Sequence, residues 1–514
     1  MQNEYKTVQK ETVSENIFTE CSEDFVLPDY MPEICRVLKL ETSIIKGDGF
    51  LGSAKADFDG TVLYTLFYTD NEETLTAVPL ESRYHYELPL GAVVPELVFS
   101  EERLDSVNMR PCGPRRVFIR SRIRACVHSI TKEPLQKALD DILPSDVGEV
   151  ERLEKKTQAL YTTLCRCEPT EASTEFILEG RDSEKLRPVY AKSETVIDKI
   201  TAEDGHLICR GALLLYVLLE DGGDTVTLTR KIPFEDASTA DSRAGDAVLA
   251  KALPSAITVS LSQNGADAVI TASAKHGFEA LIERNEPVSL TKDAYATEKK
   301  LDLSMRSLTL RSLTDALSGT FTVDGELSLP EGTDVLLISL FPREASLSWQ
   351  NKRAVLAGEM RAELLCFGRE GSADEAHYYA KEHHLPFRIE LEGKFDVLEG
   401  DEVRYELVPH TASVSMQNGK GRLASEVSVS LRAYRDEAHF VPEDVKGATP
   451  FSRESDELTV YYPTDKDSLW SVAKAFGVPL LKLREQNGIA AKEDVDTDDR
   501  QTLDGTAWLF ASLI

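Results

Sequence analysis

The sequence reads as a mainly β protein: three tandem β-rich, sandwich-like domains followed by a small α+β domain of order βααβ. Three observations lead there. Apolar and polar residues alternate with period two, as in Arg116-Val117-Phe118-Ile119-Arg120-Ser121-Arg122-Ile123-Arg124, and long helical stripes are rare before the C-terminal segment. A glycine followed by an apolar strand recurs at Gly60–Tyr64, Gly211–Tyr216 and Gly358–Phe367, with the glycines about 150 residues apart. From Leu458 onward the pattern switches to a helical period.

Taken in order, each repeat has the same expected parts. Phe25-Val26-Leu27 matches Phe176-Ile177-Leu178, and Arg36–Ile45 resembles Arg187–Ile197; the third copy has no clear upstream match. After each glycine-led strand comes a polar hairpin tip and a Pro-apolar pair: Pro79-Leu80, Pro233-Phe234 and Pro386-Phe387. A second alternating strand follows at Val117–Val127, Ala268–Ala274 and Ala424–Ala433. Pro134–Leu164, with LEKKTQALYTTL, reads as a helical connection between the first two copies. The expected domains are 1–145, 146–300 and 301–445, each able to bury its own core, then a polar linker at 446–456 and a terminal domain at 457–514.

In the terminal domain, a strand at Leu458–Tyr462 leads to a helix whose buried stripe is Leu469, Val472, Ala473 and Phe476. Gly477 stops it, and Asp467 is read as its cap. Pro479 opens a second helix carrying Leu480, Leu481 and Leu483, which stops at Asn487-Gly488. Ala507–Phe510 is the closing strand. Trp470 follows Leu469 and so lies about 100° off that residue, at the edge of the buried stripe. Two readings stand for it: packing over the module's flank, or an aromatic anchor for a partner.

The chain has 514 residues and a formal net charge of −30, which argues against binding nucleic acid or an anionic membrane. No apolar run reaches the roughly 20 residues of a membrane span, and MQNEYKTVQKETVSENIF has no apolar core of a signal peptide. The expectation is a protein that stays in the cell that makes it. Eight scattered cysteines, only Cys165 and Cys167 close together, read as free and mostly buried thiols.

The terminal segment resembles a LysM module. Asp467-Ser468-Leu469-Trp470-Ser471-Val472-Ala473 matches the family's first block, Phe476-Gly477-Val478 the second, Leu483 with Asn487-Gly488-Ile489 the third, and Leu503 with Gly505 the fourth. Lys466 stands where the family has Gly, and Phe510-Ala511 where it closes on Pro. The repeats resemble SPOCS domains of spore-forming Firmicutes: Pro28-Asp29-Tyr30-Met31-Pro32-Glu33-Ile34 reproduces that family's opening, and Gly60–Tyr64 and Gly211–Tyr216 its glycine–tyrosine strand. Tandem SPOCS units with one C-terminal LysM resemble the clostridial spore coat morphogenetic proteins. The resemblance implies a non-enzymatic coat-assembly scaffold in the mother-cell cytoplasm, at the forespore surface. Its LysM module would dock onto the coat-basement ATPase, and its other domains would touch that layer or other coat proteins. The candidate partner-binding residues are Lys466, Ser468, Leu469, Trp470, Leu480, Asn487 and Ile489.

Gly47-Asp48-Gly49-Phe50-Leu51-Gly52 has dinucleotide-site spacing, but a strand follows it rather than a helix, so it reads as a hairpin tip. His377, Glu382, His383 and His384 lie on a strand-like arm without a zinc spacing. No catalytic residue, metal or cofactor is assigned. The two rival functions are a binder of peptidoglycan, opposed by Lys466 in the sugar loop, and a hydrolase whose site lies in the repeats.

Overall fold

The computed structural model describes residues 7–47, 49–350, 353–369, 375–391, 395, 397–417, 420–452, 459–464, 467–489 and 509–511. The protein is mainly β, with 75% strand and 5% helix. The first unit runs β1 (Thr7–Val26), β2 (Arg36–Lys46), β3 (Phe50–Leu51), β4 (Lys55–Thr69), β5 (Leu75–Pro89), β6 (Leu97–Gly113) and β7 (Arg116–Pro134). One sheet has the order β1-β7-β6; the other is built on β2-β4, with β5 and short β3 also on β4. The two sheets face each other over a shared core that includes Cys21, Val117 and Ile123 from one and Val62, Tyr64 and Val78 from the other. Tyr64 brings a hydroxyl into this core and settles it on Ser121 Oγ at 2.7 Å.

A short helix, α1 (Leu139–Ile142), leads to the second unit: β8 (Val150–Arg166), β9 (Thr170–Leu178), β10 (Leu186–Glu203), β11 (His206–Asp221), β12 (Asp224–Thr239), β13 (Ala247–Ala252), β14 (Ile257–Asn264), β15 (Asp267–His276) and β16 (Phe278–Ala296). Sheet β10-β11-β12 repeats the β2-β4-β5 layer, while the opposite layer is split into β13-β16-β8 and β14-β15-β9. Pro169 and Pro254, which lack a ladder donor, stand at two of the breaks. Gly277 stands at the third, where an added Cβ would lie 3.4 Å from Pro169 Cα and 3.5 Å from Leu253 Cδ1.

The third unit is uninterrupted: β17 (Lys299–Leu327), β18 (Asp334–Gln350), β19 (Arg353–Gly368), β20 (His377–Glu390), β21 (Glu402–Gln417) and β22 (Lys420–Pro450), in sheets β17-β22-β21 and β18-β19-β20. The terminal module follows as β23 (Thr459–Tyr461), α2 (Leu469–Phe476), α3 (Leu480–Asn487) and β24 (Leu509–Ala511), with β23 and β24 antiparallel.

The register shows how deep the repetition goes. Gly60, Gly211 and Gly358 lie on the central strands β4, β11 and β19, opposite Tyr84, Phe234 and Phe387 respectively. Each ring covers its glycine, and an added Cβ would come within 2.8 Å of Phe234 Cζ or 3.0 Å of Phe387 Cζ. Strands β2, β10 and β18 each carry a register shift at the same place, between Val37 and Lys39, Pro188 and Tyr190, and Val335 and Leu337. The residues thrown out by these bulges, Leu38, Val189 and Leu336, meet Phe67, Leu218 and Leu365 in one inter-unit cluster. A second inter-unit cluster joins Val8 of β1, Ala159 of β8, Leu290 of β16, Leu308 of β17 and Val441 of β22, drawn from all three units. The three sandwiches thus close on one another as a ring.

Four expectations need correction. The segment Pro134–Leu164 is not a helical connection: beyond α1 it is β8, paired with β16 from Val150 to Arg166. Its local helix preference is overridden because this ladder buries Leu153, Ala159 and Leu160. Residues 446–450 are not linker but the end of β22, where Pro450 pairs with Lys299, so the third unit extends past 445. Pro79-Leu80 is not the counterpart of the other Pro-apolar pairs, because Pro79 lies opposite Thr65 while Tyr84 takes the place over the glycine. The closing strand is Leu509–Ala511 rather than Ala507–Phe510; Ala507 lies outside the described residues.

Candidate functional site

The terminal module is built around Leu469, Val472, Ala473, Val478, Leu483, Leu509 and Ala511. Ser468 caps α2: its side chain accepts from Ser471 N at 3.1 Å, and Ser471 Oγ accepts from Ser468 N at 2.9 Å. Asp467 is therefore not the helix cap. It ties the preceding turn, accepting from Thr464 N at 2.7 Å and Tyr461 OH at 2.9 Å, and these bonds hold its carboxyl below the usual range. Gly477 and Gly488 end the two helices with φ of 57° and 62°, a region that favours glycine.

Asn487 is a structural staple. Its amide accepts from Phe510 N at 2.7 Å and donates to Phe510 O at 2.9 Å, fixing α3 to β24. Leu480 and Ile489 are partly buried against the module core. Lys466 lies outside the described residues. Of the candidate residues, Ser468 and Asn487 thus hold the module together, and Leu469 is core.

Trp470 is buried, at 6% exposure, against the second unit of its own chain. Its Nε1 donates to Asp293 Oδ2 at 2.9 Å, and Lys474 Nζ donates to Asp293 Oδ1 at 2.5 Å. The Trp470 ring meets Tyr295 edge-on at 4.9 Å, and Tyr295 OH donates to Val478 O at 2.8 Å. Leu153 and Tyr295 join the module's apolar cluster. The receiving side chain is aimed by a bulge: the β16–β8 register shifts between Thr291 and Asp293. Sequence reasoning located Trp470 but not its receptor, because nothing local marks Asp293 and Tyr295 as a docking pair. Trp470 is thus covered by the second unit, a placement that neither reading of the sequence specified.

Most strongly perturbed buried charges join different units. Glu11 on β1 accepts from Arg404 at 2.9 Å and Arg311 at 3.0 Å in the third unit, and hydrogen-bonds His128 Nδ1 at 2.7 Å. Burial works to raise its carboxyl, but the His128 and Arg404 bonds outweigh this and bring it to about 2. Lys251 of the second unit bridges Glu101 of the first at 2.8 Å and Glu406 of the third at 3.1 Å. Glu283 accepts from Arg432 at 2.6 Å and Tyr434 at 3.0 Å.

At the ring centre, Glu41, Lys192 and Ser339 occupy matching positions on β2, β10 and β18, opposite Thr65, Tyr216 and Glu363. Lys192 lies 3.2 Å from Glu41, and Tyr190 OH donates to Glu41 at 3.0 Å. Lys39 donates to Ser339 Oγ at 2.5 Å. Burial pushes the Lys39 ammonium down; for Glu41 it acts upward but is outweighed by Lys192 and Lys39, so the carboxyl stays low. Glu41, Tyr190, Lys192 and Ser339 border a cavity of about 1100 Å³ between the three units.

Asp57, His85 and Glu87 form a possible metal-ligand group, but Lys55 Nζ sits 3.0 Å from Asp57 and 2.5 Å from Glu87, where a cation would bind. His383 and His384 lie on β20, and His384 pairs with Glu359 at 2.6 Å. The eight cysteines are free thiols, four of them buried. No helix among the described residues is long and apolar enough to cross a membrane. Comparison with protein families, with curated proteins and with solved structures finds no match to this chain.

Proposed function

We propose that this protein is a non-enzymatic assembly scaffold of the spore coat, acting in the mother-cell cytoplasm at the forespore surface and docking through its terminal module onto the coat-basement ATPase. The observation that carries the scaffold reading is the matching of buried and half-buried charges between units. Glu11 with Arg404, Lys251 with Glu101 and Glu406, and Glu283 with Arg432 join three sandwiches into one platform. Buried pairs of this kind favour a particular arrangement of parts more than they add stability. The sequence resemblance to SPOCS and LysM families supplies the cellular setting and the partner.

Because Trp470 faces the second unit, docking by the module uses the side that remains open. Leu481 on α3, at 67% exposure, is a large apolar residue of the module open to solvent, as is Tyr462 at 71%. Leu480 and Ile489 are partly buried against the same module core. The test is a pull-down of purified coat-basement ATPase by the full chain and by its Leu481→Glu variant, with sedimentation on purified peptidoglycan alongside. Capture of the ATPase by the parent chain and at least tenfold weaker capture by the variant is the expected result. Peptidoglycan binding without ATPase capture would replace this reading with the glycan-binding one.

A further inference from the structure

We infer that the outer face of sheet β1-β7-β6 is a docking surface for an acidic protein, bound through its carboxylates. Side chains along β7 alternate between the two faces of the sheet. Val117, Ile119, Ile123 and Ala125 face the core of the first unit. Arg116, Arg120, Arg122 and Arg124 alternate with them and lie on the outer face. Arg103 and Arg110 of the edge strand β6 join that face, directly opposite Arg124 and Phe118. The chain as a whole carries a formal charge of −30, so a face this rich in arginine is a local reversal of its field.

The fold itself neutralises only part of this face. Arg116 pairs with Asp24, Arg120 with Glu20 and Arg122 with Asp105. Among the described residues, Arg103, Arg110 and Arg124 have no ion-pair partner. Glu101, two residues before Arg103, is already taken by Lys251 at 2.8 Å. Arg103 and Arg124 stand opposite each other on paired strands, and like charges so placed are destabilising. An anion seated between them removes that repulsion.

The neighbouring groups decide which anion. Phe18 and Phe118 lie on this face, but the Arg122 guanidinium sits over Phe18 at 4.1 Å and that of Arg110 over Phe118 at 5.8 Å. Rings covered in this way cannot stack nucleobases, which is how single-stranded nucleic acid is held on such platforms. Glu20, Asp24 and Asp105 also stand among the arginines, so a continuous row of phosphates, on a nucleic acid or a lipid surface, meets repulsion there. An acidic protein carries its carboxylates on separate side chains. It can seat them on Arg103, Arg110 and Arg124, each of which can donate two parallel N–H bonds to a carboxylate, and leave the other positions alone.

Fluorescence anisotropy with labelled poly-L-glutamate at low salt tests this on the full chain, with oligothymidylate and phosphatidylglycerol vesicles alongside. The parent chain should bind poly-L-glutamate although the two carry net charge of the same sign, and added salt should weaken the complex. Arg103→Gln combined with Arg124→Gln should bind at least tenfold more weakly. That double variant loses a like-charge pair, so its urea midpoint should be no lower than the parent's. Arg210→Gln, at an exposed arginine of the second unit paired with Glu235, should leave binding unchanged. Leu481→Glu should also leave it unchanged, which separates this face from docking by the terminal module. The assignment is overturned by no poly-L-glutamate binding in the folded parent chain, by equal binding in the double variant, or by equal loss in Arg210→Gln. A lowered midpoint in the double variant, or tighter binding of oligothymidylate or of the vesicles, would overturn it as well.

Discussion

Gly211 and Gly358 show what one missing Cβ does in this protein. At Gly211 an added methyl meets Val196 O and Phe234 Cζ; at Gly358 it meets Ala345 Cα at 2.8 Å and Phe387 Cζ at 3.0 Å. Backbone cannot move aside as a ring can. Gly211→Ala and Gly358→Ala should therefore each destabilise by about 1–3 kcal/mol, the usual cost of overpacking. At Gly60 the three nearest atoms all belong to the Tyr84 side chain rather than to backbone, so Gly60→Ala should cost less. Urea midpoints of the three variants check the order; equal losses at all three would show that the rings, not the backbone, set the limit. The three glycines were legible as a repeat because they recur at regular spacing. The reason for them was not, because the covering rings lie on neighbouring strands.

At the scale of elements, the join between α2 and β16 depends on one carboxylate. Asp293 receives both Trp470 and Lys474, with 25% of its side chain exposed. Asp293→Ala removes both bonds, and hydrogen bonds to a charged group are worth about 1.5–3 kcal/mol each when buried, less when part-exposed as here. The expected result is faster amide hydrogen exchange in Leu469–Phe476 with β10–β12 unchanged. Unchanged protection of α2 would mean that Tyr295 and Leu153 suffice to hold the module. The same scale holds the clearest misreading of the sequence. LEKKTQALYTTL contains good helix formers, yet its strand is decided by β16, more than a hundred residues downstream, which pairs with it throughout.

For the whole molecule, closure of the ring brings together units distant in sequence, and Glu11 with Arg404 and Arg311 is one such closing contact. The Glu11 carboxyl lies at about 2 in the folded protein against an ordinary 4.5. Its contribution is complete above about pH 4.5, where the carboxylate is charged in both states. It is lost as pH falls from there toward 2, because the unfolded chain takes up the proton first. At about 1.4 kcal/mol per pH unit this amounts to on the order of 3 kcal/mol. Urea unfolding of the parent chain between pH 5 and 3 should therefore show a steeper loss of stability than in Glu11→Gln, whose side chain does not titrate. Identical slopes would remove Glu11 from the acid response.

By itself the sequence determined the β character, the recurrence of glycine-led strands and the order of the terminal module. These follow from periodicity and turn chemistry, which act between near neighbours along the chain. Only the tertiary structure decided that the three sandwiches close into a ring, that Val150–Arg166 is a strand, and that Trp470 is covered by Asp293 and Tyr295. It also placed Glu194 beside His410, a pair contributed by two units and separated by more than two hundred residues. Such pairings arise from bulges and sheet faces that meet only after folding, so no local pattern announces them.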